Sequence, residues 1–175
     1  MEEIVNKVAQ SGIVVFNLED YYDSDERVCV DIKDYLTSIP IGDSINYILR
    51  EKPFREKLNQ LDINFFENKN VAITCSVDAI IPTWAYMLLS LTILRKAKKV
   101  IVGNLEMLEN VMLTEALSKV NLEDYIDAKV VIKGCNKHYI PVYAYAQIAN
   151  LLKPFAKSIM FGEPCSTVPL FKKSK

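Results

Sequence analysis

Residues 71–104 lie over residues 130–163 without a gap at a shift of 59, and nine of the 34 pairs are identical. The densest match sets Ile81-Pro82-Thr83-Trp84-Ala85-Tyr86 against Ile140-Pro141-Val142-Tyr143-Ala144-Tyr145. Each copy reads as strand, helix, strand. Residues 71–75 form a β-branched apolar run, 81–96 a helical stretch and 99–102 a second strand closed by Gly103. The second copy gives a strand at 130–132, a helix at 141–152 and a strand at 158–161, with a further helix at 105–120 between the copies. The shared proline suits a first helical position, where φ is preset and no hydrogen bond is lost. Strands alternating with helices imply βαβ units and a parallel sheet. The expected fold is therefore α/β: a mostly parallel sheet with two repeated β-α-β units, 71–104 and 130–163, plus an N-terminal β-hairpin and helix. Duplication of one supersecondary element explains the shift. Convergence of two βαβ units on similar core patterns is the alternative.

The N-terminal residues 1–66 read differently. An amphipathic stretch over 1–10 stops at Ser11-Gly12, and 13–16 is a strand. An acidic turn follows at 19–26. Residues 28–32 place Val28, Val30 and Ile32 on one face, the alternation of a half-buried strand. These two strands are expected to pair as a hairpin. Pro40 and Gly42 mark 37–46 as a loop, and 54–61 as a helix after Pro53. The whole chain, 1–175, is expected to be a single domain, with 1–66 packed on 70–165.

Half of the 175 residues are hydrophobic, a quarter are charged and the net charge is −1, the balance of a globular domain with its own core. Near-neutral charge argues against nucleic acid as a partner. The most apolar run, 80–94, is too short to span a bilayer and is interrupted by Pro82, so no membrane segment is expected. It is apolar nearly all round, through Met87, Leu88, Leu89, Leu91, Ile93 and Leu94, so it should be buried on all sides, with a homodimer interface as a natural cover. The polar, acidic N-terminus has no secretory pattern, so a cytoplasmic location with reduced thiols is expected.

The four cysteines, Cys29, Cys75, Cys135 and Cys165, form no CxxC pair. Three of them, Cys75, Cys135 and Cys165, fall just past the carboxyl ends of expected parallel strands, the edge where open α/β sheets bind ligands. Asp78 lies in the turn after Cys75, and His138 in the turn after Cys135. Together they make a soft, partly anionic set of the kind that holds zinc, iron or an iron–sulfur fragment. Buried structural thiols are the alternative, since free cysteine also packs as a small apolar side chain. Trp84, Tyr86, Tyr143 and Tyr145 either pack against the sheet or line one cleft built by the two copies.

Several stretches resemble an uncharacterised bacterial family, domain of unknown function 2480. They include 4–9 with Leu18-Glu19-Asp20, 30–34, 78–86, 130–135 and 162–170. The resemblance covers nearly the whole chain, except that 36–47 departs from the usual pattern. It brings no established activity. It implies an association with iron–sulfur assembly of the sulfur-mobilising type, with iron–sulfur assembly proteins as partners, and it places Cys135 and Cys165 within family motifs.

Three functions compete on this reading. The first is an accessory binding protein for iron–sulfur or sulfur metabolism, with Cys75, Cys135 and Cys165 as ligands or acceptors. The second is a homo-oligomeric interaction module with structural cysteines. The third is a small-molecule enzyme with Cys135 or Cys165 as nucleophile and Asp78 as acid/base; it lacks a readable nucleophile, base and acid set. Metal binding and visible absorbance separate the first from the second.

Overall fold

A computed structural model describes residues 12–134, 137–163 and 165–174. The amphipathic stretch 1–10 and Cys135 lie outside the described residues. The protein is mixed α/β, with two mostly parallel sheets and a separate two-stranded one. The chain forms two compact units, Ser24–Leu108 in one and Met1–Asp23 with Glu109–Lys175 in the other.

In the Ser24–Leu108 unit, β2 (Arg27–Asp31), β5 (Asn70–Thr74) and β6 (Lys99–Val102) form a parallel sheet in the order β2-β5-β6. The central strand β5 buries Asn70, Val71, Ala72 and Ile73, as a strand covered on both faces must. Helix α1 (Glu51–Asn59) and helix α2 (Thr83–Ile93) pack on this sheet. Phe54 and Leu58 from α1 meet Ala85, Leu89 and Ile93 from α2 in its core. Strands β3 (Thr37–Ile41) and β4 (Ser44–Ile48) make the two-stranded antiparallel sheet.

The second unit repeats this order. Strands β1 (Ile13–Asn17), β7 (Lys129–Lys133) and β8 (Ser158–Glu163) lie parallel in the order β1-β7-β8, and β9 (Ser166–Lys172) closes the sheet antiparallel to β8. Helix α3 (Leu105–Leu117) precedes β7, and helix α4 (Val142–Leu152) joins β7 to β8. The pairings Asn70↔Lys99 and Lys129↔Ser158 carry the same 59-residue offset. So do the 3-10 turns Ile63–Phe66, capped by Asp62, and Leu122–Tyr125, capped by Asn121. Asn68 and Asp127, the two left-handed non-glycine residues among those described, stand 59 apart as well. Asn and Asp tolerate that conformation better than other side chains.

Four expectations are corrected. The two strand–helix–strand segments belong to different sheets rather than one. The strands at 13–17 and 27–31 do not pair as a hairpin: each is the outer parallel strand of its own sheet, β1 beside β7 and β2 beside β5. The hairpin lies instead at 37–48, where proline and glycine suggested a loop; Gly42, at φ 59°, supplies its two-residue turn. The run 80–94 is buried on one face only, through Ala85, Leu89 and Ile93, while Met87, Leu91 and Leu94 are exposed.

Candidate functional site

Strands β2 and β5 end side by side, with Asp31 opposite Thr74. Asp31 closes β2 and caps the 3-10 turn Ile32–Tyr35, accepting a hydrogen bond from the Lys33 N–H at 3.0 Å. The same carboxylate oxygen accepts from the Ser76 N–H at 3.2 Å, which ties the loop after β5 to the end of β2. Partial burial acts to raise the Asp31 pKa. Hydrogen bonds from the Ser76 hydroxyl and from the Lys33 and Ser76 N–H groups, with the Lys33 charge, outweigh it, so the carboxyl titrates below its ordinary range.

Cys75 is half-buried between these groups, and its thiol donates to the Val77 carbonyl at 3.2 Å. Tyr86, one turn into α2, packs with Cys75 against the same core cluster. Burial first, then that thiol and the Asp31 carboxylate, push the Tyr86 phenol above its ordinary range. Asp31, Cys75 and Ser76 thus supply a carboxylate, a thiol and a hydroxyl where two parallel strands end, with the Tyr86 phenol on the helix that follows. Asp78 is exposed in the same loop.

The equivalent edge of the other unit is built differently. Gly134 stands where Cys75 would be, and the Tyr145 hydroxyl occupies the space a side chain there would need. Tyr145 meets Phe161 edge-on, with ring centroids 5.7 Å apart. His138 stacks on Tyr22 at 4.3 Å, and Lys137 pairs with Glu19 at 3.6 Å. Cys165 is exposed in the turn between β8 and β9.

Of the sequence candidates, Cys75 and Tyr86 come together. Trp84 goes elsewhere: it packs edge-on against Phe54 at 5.8 Å, beneath the Arg55 guanidinium at 5.7 Å. There it lines a cavity of about 400 Å³ with Glu51, Arg55, Met87, Leu88 and Leu91. Tyr143 lines a smaller cavity of about 280 Å³ on α4. Among the described residues no group of three or more His, Cys, Asp or Glu is placed to hold a metal ion, and Cys135 lies outside them. Cys29 is exposed on β2. Asp31 and Ser76 escaped the sequence reading. The recurrence of Asn17-Leu18-Glu19-Asp20-Tyr21 as Asp31-Ile32-Lys33-Asp34-Tyr35 was the signal for the first, each opening on a residue that caps a 3-10 turn.

Fold and site define an α/β protein of two small parallel-sheet units, one of which carries a thiol, phenol and carboxylate at its carboxyl edge. The chain belongs to the family described as protein of unknown function (DUF2480), whose model matches residues 2–173. No curated protein and no solved structure matches the chain. Among the described residues, no helix is long and apolar enough to cross a membrane.

Proposed function

We propose that this protein is an accessory binding protein of iron–sulfur or sulfur metabolism, acting through the carboxyl edge of the β2-β5-β6 sheet. The observation that carries this reading is the place of Cys75, half-buried just past β5 in the loop that the Ser76 N–H ties to the Asp31 carboxylate at the end of β2. A thiol beside a carboxylate suits a soft cation such as Fe²⁺ or Zn²⁺: the metal displaces the thiol proton, and Asp31 balances its charge. The described residues bring two such donors together, which suits cargo held in passing better than a closed resident centre. Catalysis by a nucleophilic thiolate has less support. Such a thiolate needs a cation or a helix N-terminus beside it, and the Cys75 thiol is turned instead onto the Val77 backbone carbonyl. The 59-residue offset of sheet register, caps and left-handed residues supports reading the two units as an internal duplication, with Gly134 at the position equivalent to Cys75.

The test is Zn²⁺ and anaerobic Fe²⁺ titration of the reduced protein. Cys75→Ser should weaken binding at least ~10-fold, the effect of losing about 1.4 kcal/mol, while Cys29→Ser leaves it unchanged. Equal binding by wild type and Cys75→Ser would end this reading.

A second reading, a homo-oligomeric interaction module, is favoured by the outer face of α2. Met87, Leu91 and Leu94 are 60%, 62% and 47% exposed there, beside the Trp84 cavity. Exposed apolar groups clustered on one face mark association sites. Sedimentation of wild type against a Met87→Lys/Leu91→Lys variant checks it: a wild-type dimer made monomeric supports it.

A further inference from the structure

The β3–β4 hairpin is a sheet of its own, and among the described residues no strand pairs with either outer edge. A lone two-stranded hairpin is marginal in water. This one carries a single charge over 37–48, Asp43, and exposes Ile41 and Ile45 by 57% and 58%. Its register decides which edge is usable. Ile41 pairs with Ser44 across the turn at Gly42-Asp43. Gly42 has φ 59° and Asp43 has no positive φ, the pattern of a type II′ turn. In such a hairpin the flanking pair exchanges both hydrogen bonds, and pairs then alternate. Ile41–Ser44 and Ile39–Asn46 are thus hydrogen-bonded pairs, while Pro40–Ile45 and Ser38–Tyr47 turn their backbone groups outward. On the β3 side one of those outward residues is Pro40, which has no N–H, so that edge is spoiled for pairing. On the β4 side, Ile45 and Tyr47 present complete donors and acceptors.

We propose that β4 pairs antiparallel with β4 of a second copy of this chain, forming a four-stranded sheet β3-β4-β4-β3 with its two-fold axis at Asn46. Ile45 and Tyr47 of one copy then exchange hydrogen bonds with Tyr47 and Ile45 of the other, and all five residues of Ser44–Ile48 are paired. The interface is isologous, so it closes as a dimer. Charge agrees. The register carries Asp43 of one copy to the base of the other hairpin, beside Arg50, whose backbone is still extended at φ −112° and ψ 122°. A dozen hairpin residues are about half the 20–30 a side of a standard interface, so the contact falls below ~1,200 Å², the size class of weak and transient contacts.

The inference rests on the oligomer reading and gives it a surface other than α2, so the two fail separately. Sedimentation equilibrium of the full chain should show a reversible dimer. Ile45→Pro removes one outward N–H while sparing the bonds to β3, as Pro40 does opposite, and should weaken the dimer at least ~10-fold. Asn46→Cys in a Cys29→Ser/Cys165→Ser background should form a disulfide-linked dimer on mild oxidation. Its position is a non-hydrogen-bonded pair, with Cα atoms ~4.5 Å apart and within disulfide reach. Asn46→Cys keeps the test decisive if Ile45→Pro disturbs the hairpin. A monomer at every concentration overturns both the inference and the oligomer reading. A dimer that is lost in Met87→Lys/Leu91→Lys, survives Ile45→Pro and gives no Asn46→Cys cross-link overturns the β4 pairing alone.

Discussion

Asn70 is sealed at the start of β5, and neither its side-chain nitrogen nor its oxygen has a hydrogen-bond partner. Its backbone N–H is satisfied by the Glu26 carbonyl, so only the amide group is at odds with its surroundings. Stranding a buried amide costs about 1–3 kcal/mol, and an apolar group of similar shape removes that penalty. Asn70→Val should therefore raise the urea midpoint with an unchanged slope; a lower midpoint would mean that the amide has a role in the fold. Asp31 is the opposite case, a polar side chain whose partners hold it. Asp31→Ala removes the cap of the turn Ile32–Tyr35 and should cost about 1 kcal/mol at neutral pH. Because the folded carboxyl titrates below the ordinary value of 3.8, its electrostatic contribution is full above that pH and fades as pH falls through the folded value. Stability curves of wild type and Asp31→Ala should converge in acid; a constant gap down to the acid transition refutes the assignment. Cys75 was legible because a residue ending a strand keeps that place in any parallel sheet. Its neighbour Asp31 was not, since the bond to Ser76 spans two strands that local periodicity cannot pair.

Elements were legible where the hydrophobic pattern alone decides them. The strands of the 59-residue offset and the helices after Pro82 and Pro141 are where the pattern places them. The β3–β4 hairpin was not, because Pro40 and Gly42 are loop signals that also fit an edge strand and a type II′ turn. Helix α2 misled in another way. An all-round apolar sequence reads as buried on every side, but the sheet covers only the Ala85, Leu89 and Ile93 face. Near the C-terminus, β9 carries Phe171 into the sheet beside Ile159. That antiparallel return depends on Gly162. It has φ 123°, and a Cβ there would lie 2.6 Å from the Ser166 carbonyl oxygen. Gly162→Ala should destabilise by about 1–3 kcal/mol. It should also raise hydrogen exchange first in β8 and β9; a neutral effect would show that the turn has another conformation open to it.

At the scale of the chain, the sequence shows an offset but not how its parts are shared out. Two short tandem segments near the N-terminus, β1 and β2, each supply the first strand of a different sheet. Ile13 pairs with Lys129, and nothing in a local pattern reports a partner that distant. One consequence is an asymmetry in how the units can be separated. Residues 24–104 hold every strand of the β2-β5-β6 sheet, both strands of the hairpin, and helices α1 and α2. Residues 105–175 lack β1, and with it Phe16 and Leu18, which are 1% and 0% exposed in the core of their unit. Burying each is worth about 1.5–3 kcal/mol, so losing both removes a large part of the 5–15 kcal/mol that holds a small unit folded. It also leaves β7, whose Val130, Val131 and Ile132 are buried, with one open edge. A fragment of 24–104 should show α/β circular dichroism and a cooperative urea transition. A fragment of 105–175 should show neither until a peptide of residues 12–23 is added in trans, when dispersed amide resonances should appear as β1 takes its place beside β7. If 105–175 folds without the peptide, or if the peptide restores nothing, β1 is not the strand that completes this unit.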